Sequence, residues 1–93
     1  MRNYRIEDER ITLLEGDKIL AEIDFPKVLP HVHAITHTFV DESLRGQGIA
    51  NELIGLLLRK ARKDNFLLDP VCSFAVNYFE KHPEVKFLRF ENK

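Results

Sequence analysis

An α+β domain with a mixed, mostly antiparallel sheet and two helices is the fold class this chain predicts. Apolar and polar residues alternate with a period of two through much of the chain before residue 40. From Gln47 the spacing changes to three and four residues, the period of a helix. Only one strand–helix–strand unit fits, so a doubly wound parallel sheet is excluded.

In chain order, Ile11 and Leu13 alternate with Arg10 and Thr12, and Glu15-Gly16-Asp17-Lys18 forms a turn into a second strand. There Ile19, Ala21, Ile23 and Phe25 share one face and Leu20, Glu22 and Asp24 the other. Pro26 and Pro30 bracket a loop. The run Val32 to Val40, rich in β-branched and aromatic residues, makes a further strand. Between Gln47 and Lys63 the residues Ile49, Leu53, Leu56, Leu57 and Ala61 form a helical stripe, widened by Ala50, Ile54 and Leu58. Asp64-Asn65 ends that helix, Asn tolerating the left-handed conformation of helix ends. Phe66-Leu67-Leu68 is a short strand parallel to the one ending at Val40. Phe74 to Lys81 is a second helix stopped by Pro83, and Val85 to Phe90 a frayed last strand.

Between the long strand and the first helix lies Arg45-Gly46-Gln47-Gly48-Ile49-Ala50. Two glycines in three residues let backbone approach a ligand, and the following helix aims unpaired N–H groups and a partial positive charge at the same point. The pattern predicts an anion there. A P-loop is excluded, because Ile49 and Ala50 follow Gly48 where Lys and Ser or Thr are needed. A dinucleotide fingerprint fits badly, its third glycine falling on Asn51, although Asp69 lies at a suitable distance for a ribose-binding acid.

The hexapeptide resembles the pyrophosphate loop of the GNAT acetyltransferase superfamily: Gln or Arg, two residues, Gly, any residue, then Gly or Ala. Arg45, Gly48 and Ala50 fill it. With His37-Thr38-Phe39-Val40-Asp41 before the loop, and Asp69-Pro70-Val71-Cys72-Ser73-Phe74 and His82-Pro83-Glu84 after it, the chain is similar to a small stand-alone GNAT-like subgroup that carries a cysteine at this point. The resemblance covers roughly residues 18 to 85. It implies a trimmed GNAT fold over residues 1–93 as a single domain, with acetyl-CoA as cosubstrate. The pantetheine arm would lie along Thr38, Phe39 and Val40. The pyrophosphate would meet the N–H groups of Arg45, Gly46, Gln47, Gly48, Ile49 and Ala50, and Cys72 and Ser73 would border the thioester.

In ordinary GNAT enzymes the last helix carries Asn-x-x-Ala-x-x-x-Tyr-x-Lys, the tyrosine serving as general acid. Here the same positions hold Cys72, Ala75, Phe79 and Lys81. Phe79 has no proton to give, and Tyr78 is rotated about 100° away by one helical step, which makes it a packing residue. Cys72, just before a helix, is then the candidate at the thioester, where a helix start favours a reactive thiolate; its other reading is a small buried hydrophobe. His37 either orients the loop or accepts a proton from the acceptor amine. His82 is expected to cap the second helix. His31, His33 and His37 would share a face only in a strand regular from residue 31, and with no carboxylate or second cysteine at ligand spacing, no metal is expected.

Composition narrows the partners. A net charge of −1 leaves no basic field for nucleic acid or an anionic membrane, and Arg59, Lys60, Arg62 and Lys63 suit the last turn of a helix. One cysteine gives no internal disulfide and suits a cytoplasmic protein. Met1 to Glu7 is charged where a signal peptide needs an apolar core, and no apolar run is long enough to span a membrane. The expectation is an N-acetyltransferase acting on an amine of a protein or a small molecule. A non-catalytic acyl-CoA-binding module and an unrelated mixed-sheet interaction domain are the alternatives.

Overall fold

A computed structural model describes residues 2–91; Met1 and residues 92–93, the ends of the domain expected over 1–93, lie outside the described residues. The strands are β1 (Asn3–Ile6), β2 (Arg10–Glu15), β3 (Lys18–Asp24), β4 (Lys27–Leu29), β5 (Val32–Ile35), β6 (His37–Val40) and β7 (Leu67–Pro70). The helices are α1 (Ile49–Asp64) and α2 (Ser73–Lys81), with 3-10 turns at Glu42–Leu44 and Pro83–Leu88.

The strands form two sheets. One has the order β1-β2-β3-β6, all antiparallel; the other is β4-β5-β7, in which β5 and β7 run parallel. Ile11, Leu13, Ala21 and Ile23 bury one face of the first sheet beneath the apolar stripe of α1, built from Ile49, Leu53, Ile54, Leu57, Leu58 and Ala61. Phe25, Ile35, Phe66, Leu68, Ala75 and Phe79 extend that core under the second sheet and α2. At the edge, Tyr4 donates from its hydroxyl to Glu52 Oε1 at 2.5 Å and Arg2 bonds Glu52 Oε2 at 2.9 Å, tying β1 to α1. Burial and the Glu52 carboxylate push the Tyr4 phenol well above its ordinary range.

Several expectations are corrected. The run Val32–Val40 is two strands, broken at Thr36, where the N–H slips one residue to donate to Asp24 O at 3.1 Å. The parallel partner of β7 is therefore β5, with Val32 opposite Leu67, and not the half that ends at Val40. The loop between Pro26 and Pro30 contains β4, folded back on β5 through His31 at φ 61°. Ile19 is turned out, 38% exposed, because an extra residue at Leu20 bulges β3 between its pairings with Leu13 and Leu14. The tail is a 3-10 turn begun by Pro83, with one isolated bridge from Arg89 to Leu68, in place of a strand. The first helix starts at Ile49, since Gly48 is left-handed at φ 76°.

The end of α1 follows expectation. Asn65 is left-handed at φ 61°, and Phe66 N donates to Ala61 O at 3.0 Å. Arg62 and Lys63 occupy the last turn, Lys60 bonds Asp64 at 2.7 Å, and the Arg62 guanidinium lies 5.6 Å from the centre of the Phe87 ring. Asn65→Ala is expected to lower unfolding stability by about 1 kcal/mol through the cost of a left-handed β-carbon. Asn65→Gly, free of that cost, should match or exceed the parent in urea melts.

Candidate functional site

The site lies where β5 gives way to β6. Val71 N and Cys72 N both donate to Ile35 O at 3.0 Å, so β7 stays with β5 to its end. β6 continues with β3 on one side and is the last strand of its sheet on the other. Asp41 N donates to Leu20 O at 2.7 Å, and strand alternation turns the backbone groups of His37 and Phe39 toward β3 as well. Those of Thr38 and Val40 face the gap between the sheets. Of the three residues expected along the pantetheine arm, Phe39 has no backbone group to offer there; only its ring, 39% exposed on the opposite face of the sheet, is free.

Both helices begin at this carboxyl edge of the strands. The first bond of α1 is Glu52 N to Gly48 O at 3.1 Å, which leaves the N–H groups of Ile49, Ala50 and Asn51 without helical partners. Arg45 N donates to Glu42 O at 3.3 Å, so of the N–H groups expected to cradle an anion from Arg45 to Ala50 this one already has a backbone partner, and the Arg45 side chain is exposed. Gly46 at φ 85° and Gly48 at φ 76° hold conformations that favour glycine, and a β-carbon on Gly48 would point into open space. Before the loop, Asp41 caps the 3-10 turn by accepting from Ser43 N at 3.1 Å and Ser43 Oγ at 2.5 Å, bonds that hold its carboxyl below the usual range. Gln47 is exposed, its Oε1 3.5 Å from Arg2.

A hollow of about 240 Å³ joins the two helix starts, with Val40, Leu44, Gly46, Gly48 and Ile49 on one side and Phe74 of α2 on the other. Cys72 occupies the N-cap position of α2, half-buried, its Sγ 3.5 Å from Thr38 Oγ1 across the gap. The first bond of α2 is Val76 N to Cys72 O at 3.0 Å, so the N–H groups of Ser73, Phe74 and Ala75 also lack helical partners beside the sulfur. Such a site suits an anion at one end and a polarisable group next to a thiol at the other.

The remaining candidates separate. Phe79 is core. Tyr78 stacks on His82 with ring centres 4.1 Å apart, and burial raises its phenol above the ordinary range. His82 holds the C-cap position of α2, but its Nδ1 pairs with Glu84 at 2.9 Å instead of an end carbonyl. His33 stacks on Phe66 at 4.0 Å with Nδ1 2.7 Å from Phe25 O, His31 sits exposed in the β4–β5 turn, and His37 is in the other sheet, exposed on its outer face. A larger hollow of about 510 Å³, lined in part by His31, His33, Lys60 and Asp64, lies at the far end of α1, away from both helix starts. Among the described residues no helix is long and apolar enough to cross a membrane. Sequence reasoning missed Glu22 and Asp24 beside His37, although strand alternation had already put the two carboxyls on one face.

Comparison with known proteins completes the description. The sequence model described as GCN5-related N-acetyl-transferase matches residues 4–88. A GCN5-like protein of Staphylococcus aureus, solved by NMR, is 25% identical and superposes with a TM-score of 0.79, covering 98% of this chain and 90% of that one. A Mycobacterium tuberculosis protein solved in complex with CoA shares 20% identity at a TM-score of 0.63, covering 81% of this chain and 47% of that one. For the ribosomal-protein-S18-alanine N-acetyltransferase of Escherichia coli the figures are 18%, 0.62, 84% and 50%. The chain thus spans about half the length of the last two, and the likeness to them is one of fold. Among curated proteins none matches.

Proposed function

The chain belongs to the GCN5-related N-acetyl-transferase family, and on that premise we propose that this single domain transfers the acetyl group of acetyl-CoA to an amine of a protein or small molecule. The observation that carries the proposal is the convergence of two helix N-termini and the free edge of β6 on one gap, with Cys72 Sγ 3.5 Å from Thr38 Oγ1 inside it.

In this reading the pyrophosphate sits on the N–H groups from Gly46 to Ala50, where the α1 dipole favours negative charge. The pantetheine amides bond the outward backbone groups of Thr38 and Val40, and the thioester reaches Cys72 and Ser73. Cys72 protonates the departing thiolate or carries the acetyl group, and His37, exposed on the outer face of β6, takes a proton from the incoming amine. The gap is open, which suits a protein side chain or terminus as acceptor better than an enclosed metabolite. The single free thiol of Cys72 suits a reducing compartment such as the cytoplasm.

Acetyl-CoA at a hundred times its dissociation constant should add about 2.7 kcal/mol to stability, a melting shift on the order of 10 °C for a domain of this size. Acetylated product should accumulate with an amine acceptor. No shift at millimolar CoA would remove the proposal.

A further inference from the structure

The face of the four-stranded sheet turned away from α1 brings two carboxyl groups and an imidazole side by side. Glu22 and Asp24 stand two residues apart on β3 and share that face. His37 of β6 and Arg10 of β2 lie opposite Asp24, and Phe39 and Thr12 lie opposite Glu22. Asp24 Oδ1 is buried and has no hydrogen-bond partner among the described residues. An acceptor oxygen removed from water without a donor is costly, and the carboxyl beside it can supply one only when protonated. Burial first, and then the bonded and like-charged Asp24, raise the proton affinity of Glu22, while Arg10 and His37 oppose the shift. A proton taken up by Glu22 can therefore be donated to Asp24 Oδ1 and bridge the two carboxyls.

The pair lies one strand in from the free edge of β6. Across the face the order is Arg10, Asp24, His37 and then that edge, while Thr38, the next residue, turns its side chain to the other face, where its hydroxyl reaches Cys72. Building on the acetyl-transfer reading, we propose that Glu22 and Asp24 are the proton-accepting pair for the acceptor ammonium, reached through His37.

The ammonium gives one proton to the His37 imidazole, which passes one to the carboxyl pair, where it bridges Glu22 and Asp24 Oδ1. The freed nitrogen attacks the thioester carbon; the N–C bond forms and the C–S bond breaks. A second proton from nitrogen replaces the one that the CoA thiolate takes from Cys72. The shared proton returns to water before the next turnover.

Opposite pH dependences follow. Activity needs the pair without its shared proton, so it rises as pH rises through the raised Glu22 value. Stability runs the other way: a carboxyl whose folded value is raised stabilises fully below its unfolded value, and that contribution is lost as pH rises through the folded one. Two measurements test this, a carboxyl-carbon NMR titration of the substrate-free chain and the pH profile of kcat/KM.

Glu22 should titrate above the ordinary carboxylate range and fall toward it in Asp24→Asn. Glu22→Gln and Asp24→Asn should each lower kcat/KM by about 10²-fold and displace the rising limb, with the CoA melting shift unchanged. Should either variant fail to fold, His37→Gln keeps both carboxyls, and there Glu22 should titrate higher still while kcat/KM falls. An ordinary Glu22 titration, or parental pH profiles in both carboxyl variants, overturns this proposal and leaves acetyl transfer standing. A parent chain that binds CoA but acetylates no amine overturns both.

Discussion

Gly48→Glu is expected to abolish the stabilisation by CoA, a loss of the whole shift on the order of 10 °C. Gly48 holds φ 76° as the residue before α1, and nothing lies within 4 Å of where its β-carbon would stand. A glutamate therefore has room, and its carboxylate would settle on the free N–H groups of Ile49 and Ala50, which the helix dipole makes attractive to any anion. It would occupy the proposed pyrophosphate position and repel what remains outside. The left-handed conformation costs a β-carbon about 1–2 kcal/mol, so the variant should melt lower even without ligand. Gly48→Ala carries the same strain without the charge and should keep most of the CoA shift. Equal CoA shifts in Gly48→Glu and the parent would move the phosphate site elsewhere on the molecule.

Patterns confined to one segment were legible in the sequence. The stripe from Ile49 to Ala61, the left-handed end at Asn65, the glycine loop and the placement of Cys72 before a helix each depend on neighbours a few residues away. What escaped was set by pairing between distant segments. Nothing in Val32–Val40 marks Thr36 as a break, because the break arises when β3 releases β5 and β7 claims it. The bulge that turns Ile19 outward, the short β4 and the 3-10 tail have the same origin. Within the site, the backbone direction of Phe39 follows from its register with Glu22, which no periodicity of the strand alone reveals. Alternation placed Glu22 and Asp24 on one face, but only the β3–β6 register sets His37 opposite them.

Cys72→Ala should leave CoA affinity within a few-fold and lower turnover by roughly 10²-fold or more, the scale for losing an acid, base or nucleophile. The reason lies in where the sulfur is. Its backbone is fixed by the bond from Cys72 N to Ile35 O at 3.0 Å, and its side chain meets Thr38 Oγ1 instead of capping α2. Removing it therefore disturbs neither the loop that would bind phosphate nor the free edge of β6. Core packing alone predicts a different outcome: a half-buried cysteine replaced by alanine would cost some stability and no activity. The two roles also differ chemically. A covalent route forms a thioester on Cys72 as the CoA thiolate leaves, and mass spectrometry of the chain incubated with acetyl-CoA should then find one acetyl group on that residue. Direct attack by the amine leaves Cys72 unmodified and needs only its proton. Cys72→Ser, a weaker acid of similar size, should recover little of the turnover in either case. A fully active Cys72→Ala variant would return the residue to packing and leave the departing thiolate to be protonated by water.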